Sequence, residues 1–577
     1  MTNFSSLEFD ENGALGRAFR VDTSSVWAEA TDHEKLTRVG VGALISFQSH
    51  NPSEYLIGML DRVTRDFQEE SDDFDDGDTF IDLRQRDLLR VFLLGTYRQV
   101  DGTKTNTFKR GADSYPLVDS PCWVVEGRNL QCLMGILTQE LPEERQLTVG
   151  SFASDSSATA VIDGDRLFQR HAALVGSTGS GKSSAVALIL ERASLLRYPN
   201  IIVFDMHGEY TPLTSERAGI ARRFKIAGPD SKSNTSDSLY LPWWILNQEE
   251  MQALLLDRSE SNAPNQASRL TFHVRYLKEK FLRDNGHEDL ISQFTVDSPI
   301  PYSLNELLER LNEDDIGMVD GANGKQKQGT FYGKLTRFIS RFRSKSEDRR
   351  YSFMFDADED RSHYDWLHKF ATSLMASDGD SRGVKIVDFS EVPSDILPIV
   401  AGILARVIYD IQFWSSEGPR SPIALICDEA HIYLPNRPMD GETHQSLESF
   451  ERIAKEGRKY GISLFIVSQR PSDVSHTILS QCNNFIVLRL TNYQDQSVIS
   501  HLIPDNMHGI TDSLPLLDVG EALVLGDSLV LPSRIRLDRP KIEPTSATID
   551  FWSEWNDKKS QIDTIVEGVE SMRRQSR

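Results

Sequence analysis

Residues 176–183 read Gly176-Ser177-Thr178-Gly179-Ser180-Gly181-Lys182-Ser183, between an apolar tetrapeptide at 172–175 and a helix-forming run that starts at Ser184 and extends to 196. A strand, a glycine-rich turn and a helix in that order form a phosphate-binding loop. Glycines let successive backbone N–H groups turn inward around phosphate oxygens. The Lys182 cation then reaches the β and γ oxygens, and the Ser183 hydroxyl is placed to ligate Mg²⁺. The expected ligands are therefore ATP and Mg²⁺. The expected fold is α/β, a P-loop NTPase of the RecA-like kind with a parallel sheet core.

Working outward, further apolar runs at 200–204, 384–389, 423–427, 463–467 and 485–490 suit strands buried on both faces of a parallel sheet. The run at 423–427 ends in Asp428-Glu429, at the sheet edge where phosphates bind. Asp428 is expected to organise the Mg²⁺ shell, and Glu429 to act as base for the attacking water. Asp205, after the second strand, is a further catalytic candidate, with Glu209 beside it. Gln469, at the end of 463–467, is placed to sense the γ-phosphate or orient water. Arg452 and Arg458 lie on a helix that stops at Gly461, where cations also favour the helix dipole.

The rest of the chain falls into four parts around this core. Residues 1–150 are β-rich and read as a small barrel or sandwich, and the acidic run at 69–78 within them reads as a solvated loop. The ATPase core occupies 151–244 and 381–540. A helical insertion at 245–380 separates the two, and a polar tail at 541–577 carries a helix near 549–555. Within the insertion, 325–350 holds nine Lys or Arg against Glu347 and Asp348, interleaved with aromatic residues. It reads first as an amphipathic helix with a solvated basic face, and second as a nucleic-acid surface.

Composition sets the limits. The 577 residues are 39% hydrophobic and 26% charged, ordinary for a folded protein and not for a disordered one. No apolar run approaches the ~20 residues that cross a bilayer. With no secretory signal at the N-terminus, the expected location is the cytoplasm, without membrane contact. The four cysteines are scattered and read as core residues. A formal net charge of −23 repels nucleic acid at long range, so a polyanion partner would have to be met locally.

Several motifs together resemble the HerA branch of the HerA and FtsK superfamily of ring-forming DNA-translocating ATPases. They are Arg170-His171, the Gly176–Ser183 loop, Asp205-x-His-Gly-Glu-Tyr210, the Cys427-Asp-Glu-Ala-His431 run, Glu456-Gly-Arg-Lys-Tyr-Gly461, Ser468-Gln-Arg-Pro-Ser472 and Leu514-Pro-x4-Gly520-Glu-Ala522. They cover most of 165–537 in the family's order, and the N-terminus is similar in architecture to the family's HAS barrel. The resemblance implies a homo-hexamer with double-stranded DNA in its channel and nucleotide sites between subunits. It carries nucleotide contacts onto Gly176 through Ser184 and onto Arg170, and a finger acting in trans onto Arg458 or Arg452. It also implies an effector partner: a NurA-like or restriction-type nuclease, or a sirtuin-like NADase in phage defence. The long insertion and the acidic charge depart from the simplest archaeal pattern and favour the defence setting. Two readings follow. One is a motor on duplex DNA with pore loops at 435–446 and 471–478; the other is a nucleotide-controlled scaffold that activates an effector.

Overall fold

The computed structural model describes residues 6–73, 79–99, 106–112, 114–139, 141–228, 237–320, 326–356, 359–377, 383–416, 418, 420–437, 441–503, 511–545, 551–557 and 562–574. The chain forms two compact units. The first comprises residues 1–193, 465–473 and 479–543; the second comprises 194–464, 474–478 and 544–577.

The first unit opens with an antiparallel barrel. Its strands run in the spatial order Ser25–Ala30, Gly16–Val21, Pro121–Val124, Leu44–Gln48, Glu54–Asp73, Thr79–Arg98, Thr107–Arg110. Pairing of Ser25–Ala30 back onto Thr79–Arg98, with Val26 opposite Val91, closes six of them into a ring and removes their free edges. Val26, Ile45, Phe47, Leu56, Leu60, Leu89, Val91 and Cys122 fill its core. Of the two sequence alternatives, the barrel is therefore the one adopted. The acidic run departs from its loop reading: 69–73 continues the strand, Asp73 pairs with Thr79, and 74–78 lie outside the described residues.

The same unit carries a mixed sheet. Ala172–Val175 is flanked by two parallel neighbours, Phe465–Ser468 on one side and Asn484–Val487 on the other. Beyond Asn484–Val487 the sheet continues antiparallel through Glu521–Gly526, Ser533–Leu537, Gln146–Phe152 and Asp155–Asp163. That antiparallel half is absent from the sequence expectation. Helix Lys182–Ala193 packs through Ala185, Val186, Leu188, Ile189 and Leu190, and begins two residues earlier than expected.

The second unit contains an all-parallel sheet in the order Ser238–Leu239, Ala221–Ile226, Val384–Asp388, Ile201–Asp205, Ile423–Cys427. Its last three strands are buried along their whole length, as continuous apolar runs require. Helix Leu397–Trp414 reaches a mean hydropathy of 1.4, enough by length and composition to cross a membrane, but 72% of it is buried inside the fold. It is the core helix of this unit. Its Gly402 lets helix Gly441–Glu456 approach so closely that a Cβ would stand 2.7 Å from the Ser446 backbone.

Residues 245–380 are mainly helical, with Gln248–Leu255, Ala263–Asp284, Leu304–Ile316, Thr336–Glu347 and Trp366–Met375. Helix Thr336–Glu347 is amphipathic as expected, burying Phe338, Ile339 and Phe342. Part of the positive charge of 325–350 is neutralised internally: Arg341 pairs with Glu260 at 2.6 Å, and Arg350, beyond the helix, with Asp348 and Asp395. The tail forms two helices, Phe551–Asp557 and Ile562–Arg574.

Candidate active site

The chemistry-bearing residues fall into two clusters, one in each unit. In the first unit, buried strand Ala172–Val175 delivers the chain into the glycine-rich turn. Gly176 has no room for a side chain, since a Cβ would lie 2.6 Å from Ser180 Oγ and 2.8 Å from Leu488 Cβ. Gly181, at φ +102°, adopts a left-handed conformation that a side chain would strain. Ser177 N–H donates to the Arg489 carbonyl (2.8 Å) and Ser180 N–H to the Ser177 carbonyl (3.1 Å). Helix Lys182–Ala193 then begins, and the N–H groups of its first turn have no intrahelical acceptor. Lys182 is 7% exposed, with Nζ 3.4 Å from the Ser177 carbonyl, whereas Thr178 and Gly179 are exposed and Ser183 and Ser184 half-buried.

Neighbouring segments brace this loop. Gln469, at the end of its parallel strand, accepts a hydrogen bond from the Thr178 hydroxyl, so the sequence-predicted glutamine stands at the loop. Thr491 N–H donates to Ser177 Oγ at 3.2 Å. Gly520 N–H donates to the Ser180 carbonyl at 3.1 Å, giving the Leu514-to-Ala522 motif a physical role. That segment is held in turn by buried Glu521, which binds Arg534 and Arg536. Thr491 was missed from sequence because nothing local marks it.

Arg170 departs from its expected phosphate contact. It precedes Ala172–Val175 and so stands at the opposite end of that strand from the loop, where its guanidinium pairs with Asp527. Its carbonyl accepts from Asn483 N–H at 3.1 Å. It therefore does not face the phosphate loop of its own unit.

In the second unit two parallel strands end in aspartate and a third is followed by one. Asp205 is the direct cross-strand partner of Asp388, and Asp428 N–H donates to the Phe204 carbonyl at 3.2 Å, so the three carboxylates share one C-terminal sheet edge. Asp388 escaped notice, although the repeated ending of an apolar strand in Asp was a legible signal. Burial alone would raise Asp388, but the Ser390 N–H (2.8 Å) and Arg223 outweigh it and hold the carboxyl below its ordinary range. Asp205 is fully buried, and burial, joined by the Asp388 charge, pushes it up to about 6. Its oxygens accept from Glu209 N–H (3.1 Å) and Tyr210 N–H (3.0 Å), which folds the 206–210 turn back over the strand end. Asp428 is raised well above the carboxylate range, first by burial and then by Glu429, Asp205 and Glu209.

Glu429 is 5% exposed and left-handed at φ +44°, an uncommon conformation for a side-chain-bearing residue and a recurrent sign of a functional position. His431 Nδ1 lies 3.3 Å from its Oε2. Among the described residues no group of three metal-ligating side chains is preassembled. The donors nonetheless suit a hard cation: buried carboxylate oxygens that repel one another gain from a positive charge.

The two arginines separate. Arg452 lies over the Tyr409 ring at 4.6 Å and the Phe413 ring at 5.7 Å. Arg458 is exposed, and its guanidinium has no hydrogen bond or ion pair among the described residues. The two segments expected as pore loops meet each other in this unit: Pro435 bridges to Val474, and Ser475 N–H donates to the Leu434 carbonyl at 2.9 Å, while 438–440 lie outside the described residues.

The family model "Helicase HerA, central domain" matches residues 147–408. The DNA double-strand break repair helicase HerA of Sulfolobus acidocaldarius is 28% identical over 404 residues, covering 69% of this chain and 70% of that protein. The one from Saccharolobus solfataricus is 26% identical over 411 residues, 70% of each. Among solved structures, VirB4 of Thermoanaerobacter pseudethanolicus is similar at a TM-score of 0.43 and 16% identity, over 69% of this chain and 97% of its own. The phosphate loop, the aspartates at the strand ends and the matched sequence agree in making this chain similar to the HerA helicases over their central domain.

Proposed function

We propose that this protein is a hexameric ring ATPase that hydrolyses ATP with Mg²⁺ to move along or unwind double-stranded DNA. The observation that carries this is that one chain holds both a braced phosphate loop, in its first unit, and a buried, strained Glu429 beside Asp428, in its second, while its relatives are named as DNA repair helicases. The loop from Gly176 to Ser184 binds the phosphates, and Lys182 neutralises them. Glu429 accepts the proton of the attacking water, and Gln469 orients that water or senses the γ-phosphate. Asp205 shapes the turn that carries Glu209 and Tyr210. Mg²⁺, for which Ser183 and Asp428 are the proposed ligands, would neutralise developing phosphate charge. Arg458, exposed and unengaged, is favoured over Arg452 as the finger offered to a neighbouring subunit.

The ring works with an effector enzyme, a NurA-like or restriction-type nuclease or a sirtuin-like NADase, in DNA end processing or anti-phage defence. The net charge of −23 supports a second reading, in which the ring chiefly assembles and licenses that effector. ATPase rates of the wild type and Glu429→Gln, with and without linear duplex DNA, test both while light scattering reports ring size. Turnover that depends on Glu429 and rises with DNA supports the motor. A hexamer that hydrolyses ATP and ignores DNA moves the assignment to the scaffold, and turnover indifferent to Glu429 overturns the site.

A further inference from the structure

Three buried tyrosines in this fold use their hydroxyls: Tyr97 Oη accepts from Leu7 N–H, Tyr302 Oη donates to Met251 Sδ, and Tyr409 Oη donates to Glu456 at 3.1 Å. Tyr433, beside the Cys427 thiol, has no hydrogen-bond partner for its Oη among the described residues, and Tyr210 shares that state at the carboxylate edge itself. The Tyr210 side chain is fully buried and its Oη has no hydrogen-bond partner among the described residues. Native structures rarely leave a buried hydroxyl unused, and an exception calls for a group that arrives from outside the protein.

The surroundings say what kind of group. Tyr210 is fixed at the C-terminal sheet edge by its own N–H, which donates to Asp205 Oδ2 at 3.0 Å. The charges acting on its phenol are, in order of strength, Asp428, Asp205, Glu209 and Glu429. A neutral O–H donor therefore sits among four carboxylates and is bonded to none of them. The small molecule that satisfies a donor on one side and a carboxylate on the other is water. The geometry points to Tyr210 as a positioning residue for hydrolysis: its O–H donates to one buried water held on its far side by Asp428, which fixes the orientation of that carboxylate. The inference rests on reading the carboxylate cluster as the hydrolytic half of an ATPase site. Tyr210 touches no reacting atom; it acts through Asp428.

Tyr210→Phe removes one oxygen and keeps the ring that packs the turn. In full-length protein, ATP hydrolysis is measured against ATP and against Mg²⁺, beside wild type and Glu429→Gln, and each protein is melted without nucleotide. The expected result is a fall in kcat of about 10-fold or more, a KM for ATP within about 2-fold of wild type, and a several-fold rise in the Mg²⁺ needed for half-maximal rate. The melting temperature should hold or rise, since no protein hydrogen bond is lost. Wild-type kcat and Mg²⁺ dependence in the variant overturn the inference, as does a lowered melting temperature that accounts for the lost activity. If wild type shows no turnover dependent on Glu429, the functional reading falls together with the inference. Because that comparison involves no change at Tyr210, the two failures are told apart.

Discussion

The phosphate loop and the carboxylate edge are built on opposite principles. The loop is partly exposed and made of backbone donors, and its shape is set by glycines and by bonds from Thr491, Gln469 and Gly520. The carboxylate edge is buried, carries its anions on side chains, and holds Glu429 in a left-handed backbone. The first can be complete before any ligand binds. The second is held together against its own repulsion, as a site that receives a cation would be and a purely structural one would not. On the proposed function, binding belongs to the loop and turnover to the edge.

The largest expected effect lies in a cation outside both clusters. Arg458→Ala should lower kcat by about 10³-fold or more, the range of a finger supplied in trans. Arg452→Ala should leave turnover within about 3-fold and instead cost roughly 1 kcal/mol of stability, because its guanidinium is spent on the Tyr409 ring. Mixing Arg458→Ala subunits with Lys182→Ala subunits should restore turnover at the interfaces where an intact loop meets an intact finger. No recovery in such mixtures would return the choice to Arg452.

Glu429→Gln and Lys182→Ala cut the comparison along its own line. The first should lose about 10²–10³ in kcat while ATP affinity stays within about 3-fold, whereas the second should lose affinity itself. Equilibrium binding of a fluorescent ATP analogue alongside single-turnover hydrolysis separates the two, and an equal loss of affinity in both variants would end the division of labour. Asp205→Asn is a smaller perturbation. It replaces one of two accepting oxygens with an amide and relieves some like-charge repulsion, so the net loss should be ~1 kcal/mol, visible as a lowered melting temperature.

The two clusters also differed in how far they could be read from sequence. The loop was legible because its signal is local: eight residues, a strand before and a helix after. Strands such as 201–205 and 423–427 were legible because burial on both faces demands unbroken apolar runs. The antiparallel half of the first unit's sheet was not, since Gln146–Phe152 and Ser533–Leu537 meet across nearly 400 residues, and no local pattern encodes such a pairing. Arg170 was misplaced for a related reason. Its motif position is two residues from the strand that carries the loop, yet strand direction puts it at the far end. Tyr210 could be quoted as a motif residue, but its orphaned hydroxyl exists only once the turn folds over Asp205.

A buried charge elsewhere in the second unit provides the control for the carboxylate edge. Lys278 is 0% exposed, and Nζ donates to the carbonyls of Val296 and Ser298 at 2.7 Å each. Burial lowers its pKa to about 7, only partly offset by Asp297. In the unfolded chain a lysine titrates near 10.4. Between those values the unfolded state binds more protons than the folded one, so this group makes stability rise with pH from about 7 to about 10, by at most ~1.4 kcal/mol per unit, and contributes no slope below that window. Lys278→Met removes the titration while leaving two carbonyls without their donor. Subtracting its urea-unfolding stability from that of wild type at pH 6.5, 8 and 9.5 cancels every other titrating group. The difference should grow in favour of wild type across the upper two points. If the difference stays flat, Lys278 remains charged through that range. The helical segment around it then tolerates buried charge as readily as the sheet edge does, and charge burial alone no longer distinguishes the hydrolytic cluster from the scaffold that carries it.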